Sequence, residues 1–217
     1  MTFRTKRIFI IDDHPVVAAS LAQLIDSEPG WRFAGAASNC PQALAAMSKG
    51  VPDAIILEPA VDTMDGLARI ADLAARAPVL CLSVLSEQHL AERALRAGAR
   101  GFLMKTSGTD EVRSGLRGLL AGDIVLSERT RQVLLGRAVT GHPTSHAGAL
   151  HQLNDRELRI VHLIGAHRNS REIARHLCLS EKTVATHRHR IREKLQLRKP
   201  GDLARLAAQW VEHEVLS

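Results

Sequence analysis

The sequence predicts an α/β domain built on a five-stranded, doubly wound parallel sheet, followed by a small all-α domain. Short apolar runs alternate with helical patterns over residues 1–121, and such β-α alternation implies parallel strands joined by right-handed crossovers. Runs such as IFII and AIIL lack a period of two, which is typical of strands buried on both faces. Beyond residue 150 the apolar residues recur at helical spacing, so we expect helices there.

Each element of the sheet domain follows from these patterns. The predicted strands are Arg7–Ile11, Arg32–Ala37, Ala54–Leu57, Val79–Ser83 and Gly101–Met104. The predicted helices are Pro15–Glu28, Pro41–Lys49, Gly66–Arg76, Glu87–Ala97 and Thr109–Ala121, with a further helix near Ser127–Arg137. The segment TGHPTSHAGALHQ follows, and its Gly, Pro, Ser and His content indicates a linker.

The all-α part contains four predicted helices separated by short turns. They are Asn154–Ala166, Ser170–Leu177, Glu181–Leu195 and Pro200–Trp210. Ser180 is a suitable N-cap for the third helix, and Pro200 suits the first turn of the fourth. We therefore expect a sheet domain at 1–121, a linker with a short helix at 122–149, and a helical domain at 150–217.

The two predicted domains differ in charge. Residues 1–121 contain 13 basic and 13 acidic side chains, whereas residues 150–217 contain 13 and 8. The helical part therefore carries most of the net charge of +6, and it also holds seven of the eleven histidines. A basic module of this kind indicates a polyanionic partner such as nucleic acid.

Several classes of protein are excluded by the composition. No apolar run reaches the length of about 18 residues that a membrane span needs, and the apolar run near the N-terminus is too short for a signal peptide. We therefore expect a cytoplasmic protein. Cys40, Cys81 and Cys178 are widely spaced and form no CxxC pair, which excludes a disulfide framework and a cysteine-based zinc site.

Polar side chains stand at the ends of the predicted strands, where ligands bind in open parallel sheets. They are Asp12 and Asp13 after the first strand, Glu58 after the third, Ser83 at the end of the fourth, and Lys105 after the fifth. Three carboxylates at one edge repel one another, and Mg²⁺ or the ammonium group of Lys105 would relieve that repulsion.

These residues resemble the receiver domain of bacterial two-component response regulators over about 120 residues of the chain, and His14-Pro15 further resembles the NarL/FixJ subfamily. The resemblance implies that Asp12 and Asp13 hold Mg²⁺ and that the residue at position 58 accepts a phosphoryl group from a histidine kinase. It also implies that Ser83 and Lys105 stabilise the phosphorylated state, while the aromatic side chain of Phe102 turns with it.

The sequence departs from this family at the phosphoacceptor, where Glu58 replaces Asp. The added methylene moves the carboxylate, and a displacement of about 1 Å can cost a factor of about one hundred in a reaction that depends on alignment. Pro59 offers no backbone N–H to a phosphoryl group, and Asp62 adds negative charge. We therefore expect no conventional phosphorylation and at most weak Mg²⁺ binding through Asp12 and Asp13, with no cofactor required.

Three interpretations of Glu58 remain open. Its longer carboxylate can reach Ser83 and Lys105 and imitate an aspartyl phosphate. Alternatively, phosphorylation has been lost, and the domain is a scaffold for dimerisation or for a partner. In the third interpretation another carboxylate, such as Asp62 or Asp65, accepts the phosphoryl group, or Glu58 itself does.

The helical part resembles the LuxR-type helix-turn-helix domain over about 65 residues. The matching residues are Leu153 and Glu157, then Glu172-Ile173-Ala174, then Leu179-Ser180-Glu181-Lys182-Thr183-Val184, and finally His187, Ile191, Lys194 and Leu195. His167 departs from the family, which commonly has Gly there. The resemblance implies that the third helix enters the major groove of double-stranded DNA and that the fourth helix supplies a dimer contact.

The periodicity of the third helix divides its polar residues into two groups. With Val184 and Ile191 turned inwards, Ala185, Thr186 and His189 are expected to face base edges. The candidates for phosphate contacts are Lys182, Thr183, His187, Arg190 and Lys194, and Arg188 can belong to either group.

We therefore expect a homodimeric, DNA-binding transcriptional regulator rather than an enzyme. One alternative is an interaction protein that acts mainly on another regulator, and salt-dependent, sequence-selective DNA binding would distinguish the two. Another is a phosphatase-like enzyme with Asp12 as nucleophile, which the accompanying DNA-binding module argues against. The sequence identifies neither the operator nor a cognate histidine kinase.

Overall fold

The computed structural model describes residues 4–59, 61, 66–85, 87–128, 130–132, 134–135, 150–177 and 179–215. The chain divides into two compact units, Met1–Gly141 and His142–Ser217. Each unit is considered by itself below.

A six-stranded parallel sheet forms the centre of the first unit. Its strands are β1 (Lys6–Ile11), β2 (Trp31–Ala37), β3 (Ala54–Leu57), β4 (Val79–Ser83), β5 (Gly101–Met104) and β6 (Val125–Leu126). The strand order is β2-β1-β3-β4-β5-β6, so the chain reverses its direction of travel across the sheet between β2 and β3. The central strands β3 and β4 are buried along their whole length, which explains why their sequences show no alternation.

Five helices connect these strands: α1 (Pro15–Asp26), α2 (Cys40–Met47), α3 (Gly66–Ala74), α4 (Glu87–Arg96) and α5 (Thr109–Ala121). Proline stands in the first turn of α1 and α2, where its missing N–H costs no hydrogen bond. The Asn39 side chain caps α2 by accepting from the backbone N–H of Gln42. Helix α5 ends at Gly122, whose φ of 97° places it in the left-handed region.

The sixth strand corrects the predicted number of five. Val125–Leu126 is too short to produce a strand pattern, yet it pairs with Gly101 and Phe102 of β5. The sheet therefore continues into the segment that the sequence assigned to the linker. A Cβ atom at Gly101 would lie 2.8 Å from Cβ of Val125, and one at Gly115 of α5 would lie 3.0 Å from its Cγ1. These glycines leave the space that Val125 occupies.

The second unit is helical. It begins with a 3₁₀ turn at Leu150–Gln152 and continues with α6 (Asp155–Gly165), α7 (Ser170–His176), α8 (Glu181–Lys194) and α9 (Pro200–Val215). Helices α6 and α7 both start with an Asn-x-x-Glu capping box, in which the Asn side chain accepts from the Glu backbone N–H and the Glu side chain accepts from the Asn backbone N–H. Ser180 caps α8 by accepting from the backbone N–H of Thr183.

Helices α6 and α9 pack closely at Gly165. A Cβ atom there would meet the backbone of Ala207, so only glycine allows this approach. On the same pair of helices the rings of His162 and Trp210 stack edge to face with centroids 6.1 Å apart. After α6 the chain turns through His167, whose φ of 57° is left-handed. Glycine adopts such a conformation more readily than a residue with a Cβ atom.

None of the helices among the described residues is long and apolar enough to cross a membrane.

Candidate functional site: a strand-end pocket and an exposed helix

The polar residues predicted at the strand ends are brought together at the carboxyl edge of the sheet. Because β1 lies beside β3, β3 beside β4 and β4 beside β5, the residues that follow these strands meet there. Two backbone hydrogen bonds hold neighbouring strand ends together. Glu58 N–H donates to Ile11 C=O at 2.9 Å, and Lys105 N–H donates to Ser83 C=O at 2.7 Å. We use the name strand-end pocket for Asp12, Asp13, Glu58, Ser83 and Lys105.

Glu58 lies at the centre of this pocket and is 2% exposed. Its Oε1 accepts a hydrogen bond of 2.9 Å from the hydroxyl of Ser83, and its Oε2 lies 3.0 Å from Nζ of Lys105. The Ser83 hydroxyl oxygen also accepts from the backbone N–H of Leu85 at 3.2 Å, which fixes its position. The two carboxylate oxygens of Glu58 thus contact both groups at once.

Lys105 also pairs with the first acidic residue of the pocket. Its Nζ lies 2.5 Å from Oδ2 of Asp12, so one ammonium group stands between two buried carboxylates. The side chains of Lys105 and Asp12 are 9% and 3% exposed. At such burial, an ionised group depends on its partners to offset the loss of hydration.

His14 occupies the outer side of the acidic pair. Its Nδ1 lies 3.1 Å from Oδ1 of Asp12 and 2.9 Å from Oδ1 of Asp13, and its backbone N–H donates to Oδ1 of Asp12 at 2.8 Å. The three side chains are close enough to share an ion. However, both oxygens of Asp12 already contact His14 or Lys105, and both oxygens of Glu58 contact Ser83 or Lys105.

Magnesium demands nearly ideal octahedral geometry and short bonds to oxygen. It would have to displace Lys105 or His14 from the carboxylates that the family resemblance assigns to it. Mg²⁺ would therefore compete with Lys105 and His14 for these carboxylates.

The remaining predicted positions of this domain differ in how far the structure describes them. Phe102 is fully buried, and Pro59 is buried directly after Glu58. Asp62 and Asp65 lie outside the described residues.

Helix α8 presents most of its predicted DNA-contacting residues to solvent. Lys182, Ala185, Thr186, His189, Arg190 and Lys194 are exposed, whereas Thr183, His187 and Arg188 are half-buried. Val184 and Ile191 are fully buried, as the periodicity predicted. The exposed group therefore occupies the side of α8 that faces away from the core.

Several of these side chains have partners within the domain. The hydroxyl of Thr186 donates to Lys182 C=O at 3.0 Å, and Nε2 of His189 lies 3.4 Å from Oε1 of Glu193. Nη1 of Arg188 donates to the hydroxyl of Ser170 at 3.3 Å, which connects α8 with the start of α7.

Lys194 has a partner that the sequence analysis did not foresee. Its Nζ lies 2.7 Å from Oε2 of Glu157, a side chain that is 3% exposed. The same oxygen accepts from the backbone N–H of Asn154 at 2.9 Å. Glu157 therefore caps α6 and fastens the end of α8 to it, and its position in an Asn-x-x-Glu box was the one sequence signal for the first of these roles.

His187 lies on the side of α8 that faces α6. Burial, and next the positive charge of Arg156, lower the pKa of His187 below its ordinary value of 6.5, with Arg190 acting in the same direction and Glu157 against it. Burial and the neighbouring Arg159 likewise lower the pKa of Arg156. The lowered pKa therefore favours the neutral form of His187.

Comparison with known protein families identifies both units. Residues 8–117 match the response regulator receiver domain, and residues 151–207 match the LuxR family of bacterial regulatory proteins. The nitrate/nitrite response regulator NarL of Escherichia coli K12 is 30% identical over 210 residues, which cover 95% of each chain. The response regulator GacA of Pseudomonas aeruginosa is 28% identical over 206 residues, which cover 94% of this chain and 95% of GacA.

Solved structures show the same architecture. RcsB of Salmonella enterica serovar Typhimurium, bound to the promoter rprA in the presence of the phosphomimetic BeF₃⁻, has a TM-score of 0.61 at 17% identity, covering 94% of this chain and 98% of its own. This likeness concerns the fold. From the family matches and the NarL relationship it follows that the chain belongs to the NarL/FixJ-type response regulators, DNA-binding transcriptional regulators that join a receiver domain to a LuxR-type helix-turn-helix domain.

Proposed function

We propose that this regulator binds DNA as a homodimer and that its receiver domain holds the signalling-competent state without aspartyl phosphorylation. The observation that carries the proposal is the double contact of Glu58, whose two oxygens lie 2.9 Å from Oγ of Ser83 and 3.0 Å from Nζ of Lys105. The family resemblance assigns these two groups to the phosphorylated state. A permanent carboxylate between them replaces the charge that phosphorylation would add.

The surroundings of Glu58 support this proposal. Phosphoryl transfer requires an aligned acceptor and stabilisation of charge on the transferred group. Here both oxygens of Glu58 are engaged, and Pro59 offers no backbone donor. The domain therefore uses Lys105 in place of Mg²⁺ as the cation of its pocket.

In the helical domain, we assign the α8 surface to the major groove of DNA. Ala185, Thr186 and His189 face base edges, and a methyl contact to thymine is the readout available to Ala185. Lys182 and Arg190, both exposed, contact phosphates. We also assign phosphate contacts to Thr183 and His187. The hydrogen bond from Arg188 to the Ser170 hydroxyl holds the Arg188 side chain beside the start of α7.

Lys194 is left out of the phosphate contacts. Its ammonium group is bound to Glu157, so it positions α8 rather than contacting DNA. This assignment revises the expectation from helical periodicity, which takes no account of a partner on another helix.

The experiment compares the DNA affinity and the mass of the unmodified protein with those of Glu58→Gln, with and without Mg²⁺ and a small-molecule phosphodonor such as acetyl phosphate. The DNA probe is a duplex that the protein selects from a random library. We expect the wild type to bind as a dimer regardless of the phosphodonor, and Glu58→Gln to bind roughly tenfold more weakly, a typical coupling between sites.

The matched control is Glu128→Gln, because Glu128 is exposed and contacts only the neighbouring Arg131 and Gln132 in the described part of the chain. Unchanged affinity in Glu58→Gln would make the receiver domain an inert scaffold. Binding that strengthens with the phosphodonor would show that a carboxylate of this domain still accepts phosphate. Either result refutes the proposal for Glu58.

A further inference from the structure

Arg188 lies on a different side of α8 from the residues that we assign to base edges. It follows Val184 by four positions and precedes Ile191 by three, so these three side chains share one side of the helix. Val184 and Ile191 are fully buried, and Arg188 is half-buried beside them, whereas Thr186 and His189 on the opposite side are exposed. Arg188 therefore belongs to the packed side of α8.

The partner of Arg188 is the hydroxyl of Ser170, the first residue of α7. Nη1 of Arg188 donates to Oγ of Ser170 at 3.3 Å, although the two residues are 18 positions apart. Asn169 and Glu172 form the capping box of α7, in which each side chain accepts from the backbone N–H of the other residue. Because the capping box fixes the backbone on both sides of Ser170, the hydrogen bond connects α8 to a well-fixed point.

We infer that Ser170 is a positioning residue for DNA recognition, which acts through Arg188 to set the orientation of α8 relative to α7. This inference rests on the proposed function. Apolar contacts between helices are non-directional, whereas a hydrogen bond requires a defined distance and angle. On another side of α8, Lys194 lies 2.7 Å from Glu157 of α6. Polar contacts therefore hold α8 against both α6 and α7.

The orientation of α8 matters more for base contacts than for phosphate contacts. Hydrogen bonds and methyl contacts to base edges depend on where each side chain stands in the major groove, so a small rotation of α8 misplaces Thr186 and His189. The phosphate contacts assigned to Lys182 and Arg190 come from long side chains, which can adjust to a small shift. Loss of the Ser170 hydroxyl should therefore reduce discrimination between DNA sequences and leave non-specific affinity nearly unchanged.

The test measures the dissociation constants of the full-length protein for a duplex selected from a random library and for an unrelated duplex. The ratio of the second constant to the first should fall about fivefold in Ser170→Ala, a share of what a hydrogen bond to a charged group contributes. Ser170→Thr keeps a hydroxyl and should keep the ratio. Arg188→Met should lower the ratio as Ser170→Ala does, and the double variant should lower it no further, because both changes break one interaction.

Asn154→Ala is the control for a general loss of stability in the helical domain. It removes the side chain that caps α6, at a cost of the order of one hydrogen bond, and it leaves the contact between α7 and α8 in place. The backbone N–H at this position still donates to Glu157. We expect this variant to discriminate between the two duplexes as the wild type does.

The outcomes separate this inference from the function on which it rests. A wild type that binds both duplexes equally would refute the proposed function itself. A wild type that discriminates, together with an unchanged ratio in Ser170→Ala, would refute the role of Ser170 alone. If Arg188→Met weakened binding to both duplexes equally and lost about one unit of the slope of log K against log salt, Arg188 would be a phosphate contact, and our inference would be wrong.

Discussion

Each domain of this regulator holds a lysine against a buried glutamate, and the surroundings of the two pairs differ. In the receiver domain, Lys105 lies 3.0 Å from Glu58 and 2.5 Å from Asp12, and its side chain is 9% exposed. In the helix-turn-helix domain, Lys194 lies 2.7 Å from Glu157 and its side chain is 40% exposed. The first ammonium group therefore serves two buried carboxylates, whereas the second serves one.

This difference lies in the number of carboxylates around each ammonium group. Among the described residues, Asp12 and Glu58 share the ammonium group of Lys105, and Asp13 adds a third carboxylate beside His14, so this part of the pocket is rich in carboxylates. Glu157 and Lys194 balance each other, and the remaining hydrogen bond of Glu157 Oε2 goes to a helix cap. The ratio of carboxylates to cations, rather than the ion pair itself, distinguishes the two sites.

The largest effect is expected from Lys105→Met, which would leave two buried carboxylates without their shared cation. Removing one partner of a buried ion pair costs about 3 to 5 kcal/mol, so we expect the free energy of unfolding of the receiver domain to fall by about that amount. The sequence has two tryptophans. Trp31 lies in the receiver domain, and Trp210 lies in the helix-turn-helix domain. Urea unfolding followed by fluorescence in a Trp210→Phe background therefore reports on the receiver domain.

The effect of Mg²⁺ on stability provides a further test of this first prediction. If Lys105 occupies the place of the cation, Mg²⁺ should stabilise Lys105→Met and leave the wild type nearly unchanged. Equal stabilisation of both proteins would contradict the description of Lys105 as the resident cation of the pocket.

The second prediction concerns Glu157→Ala, which removes both the helix cap and the partner of Lys194. We expect a loss of about 2 kcal/mol in the helix-turn-helix domain, because a lost cap costs about 1 kcal/mol and a half-exposed ion pair contributes less than a buried one. Fluorescence of Trp210 in a Trp31→Phe background measures it.

Lys194→Met is the matched variant for the second prediction. It keeps the cap but leaves the Glu157 carboxylate, which is 3% exposed, without its cation, so it should also destabilise the domain, and it should leave the salt slope of DNA binding unchanged. A slope that falls by about one unit, as expected for a lost phosphate contact, would return Lys194 to the DNA-contacting group.

The sequence predicted the elements of this fold well and the side-chain partners less well. Residues 54–57, 79–83 and 101–104 form strands with the predicted bounds, because uninterrupted apolar runs flanked by polar residues mark buried strands. The assembly of the strand-end pocket follows from topology, since parallel strands end at one edge. The two-residue β6 produces no pattern of its own, and its space depends on glycines elsewhere in the chain.

The partners of His14 and Lys194 could not be predicted, since each depends on packing. His14 turns back onto the preceding acidic pair, and a loop conformation of this kind is not encoded in a local pattern. Lys194 and Glu157 are 37 residues apart, so helical periodicity places Lys194 on a face without revealing what that face meets. The exposed residues of α8 were easier to assign, because the buried Val184 and Ile191 fix the orientation of the helix.

The third prediction concerns how stability depends on pH through the pKa of His187. This residue lies on α8, and Glu157 lies nearby on α6. Burial and Arg156 lower this pKa below 6.5 in the folded protein, so below pH 6.5 the unfolded chain binds the proton more readily. The stability that His187 contributes is therefore complete above pH 6.5 and is lost as the pH falls towards its folded pKa. Unfolding of the helix-turn-helix domain, measured by Trp210 fluorescence between pH 7.5 and 5.5, should show this loss. His187→Asn should remove that component, and His189→Asn, on the exposed side of the same helix, should retain it.

The smallest effect on stability is expected at His167, which lies in the turn between α6 and α7. Its φ of 57° is costly for a residue with a Cβ atom, whereas glycine adopts it freely but loses more entropy on folding. His167→Gly should therefore stabilise the helix-turn-helix domain by about 0.5 kcal/mol net. The neighbouring Ala166 has an ordinary φ of −76°, so Ala166→Gly should destabilise the domain by a similar amount. Opposite signs at adjacent positions would locate the strain in one residue, and a loss of stability in both variants would show that the His167 side chain contributes more than its backbone conformation costs.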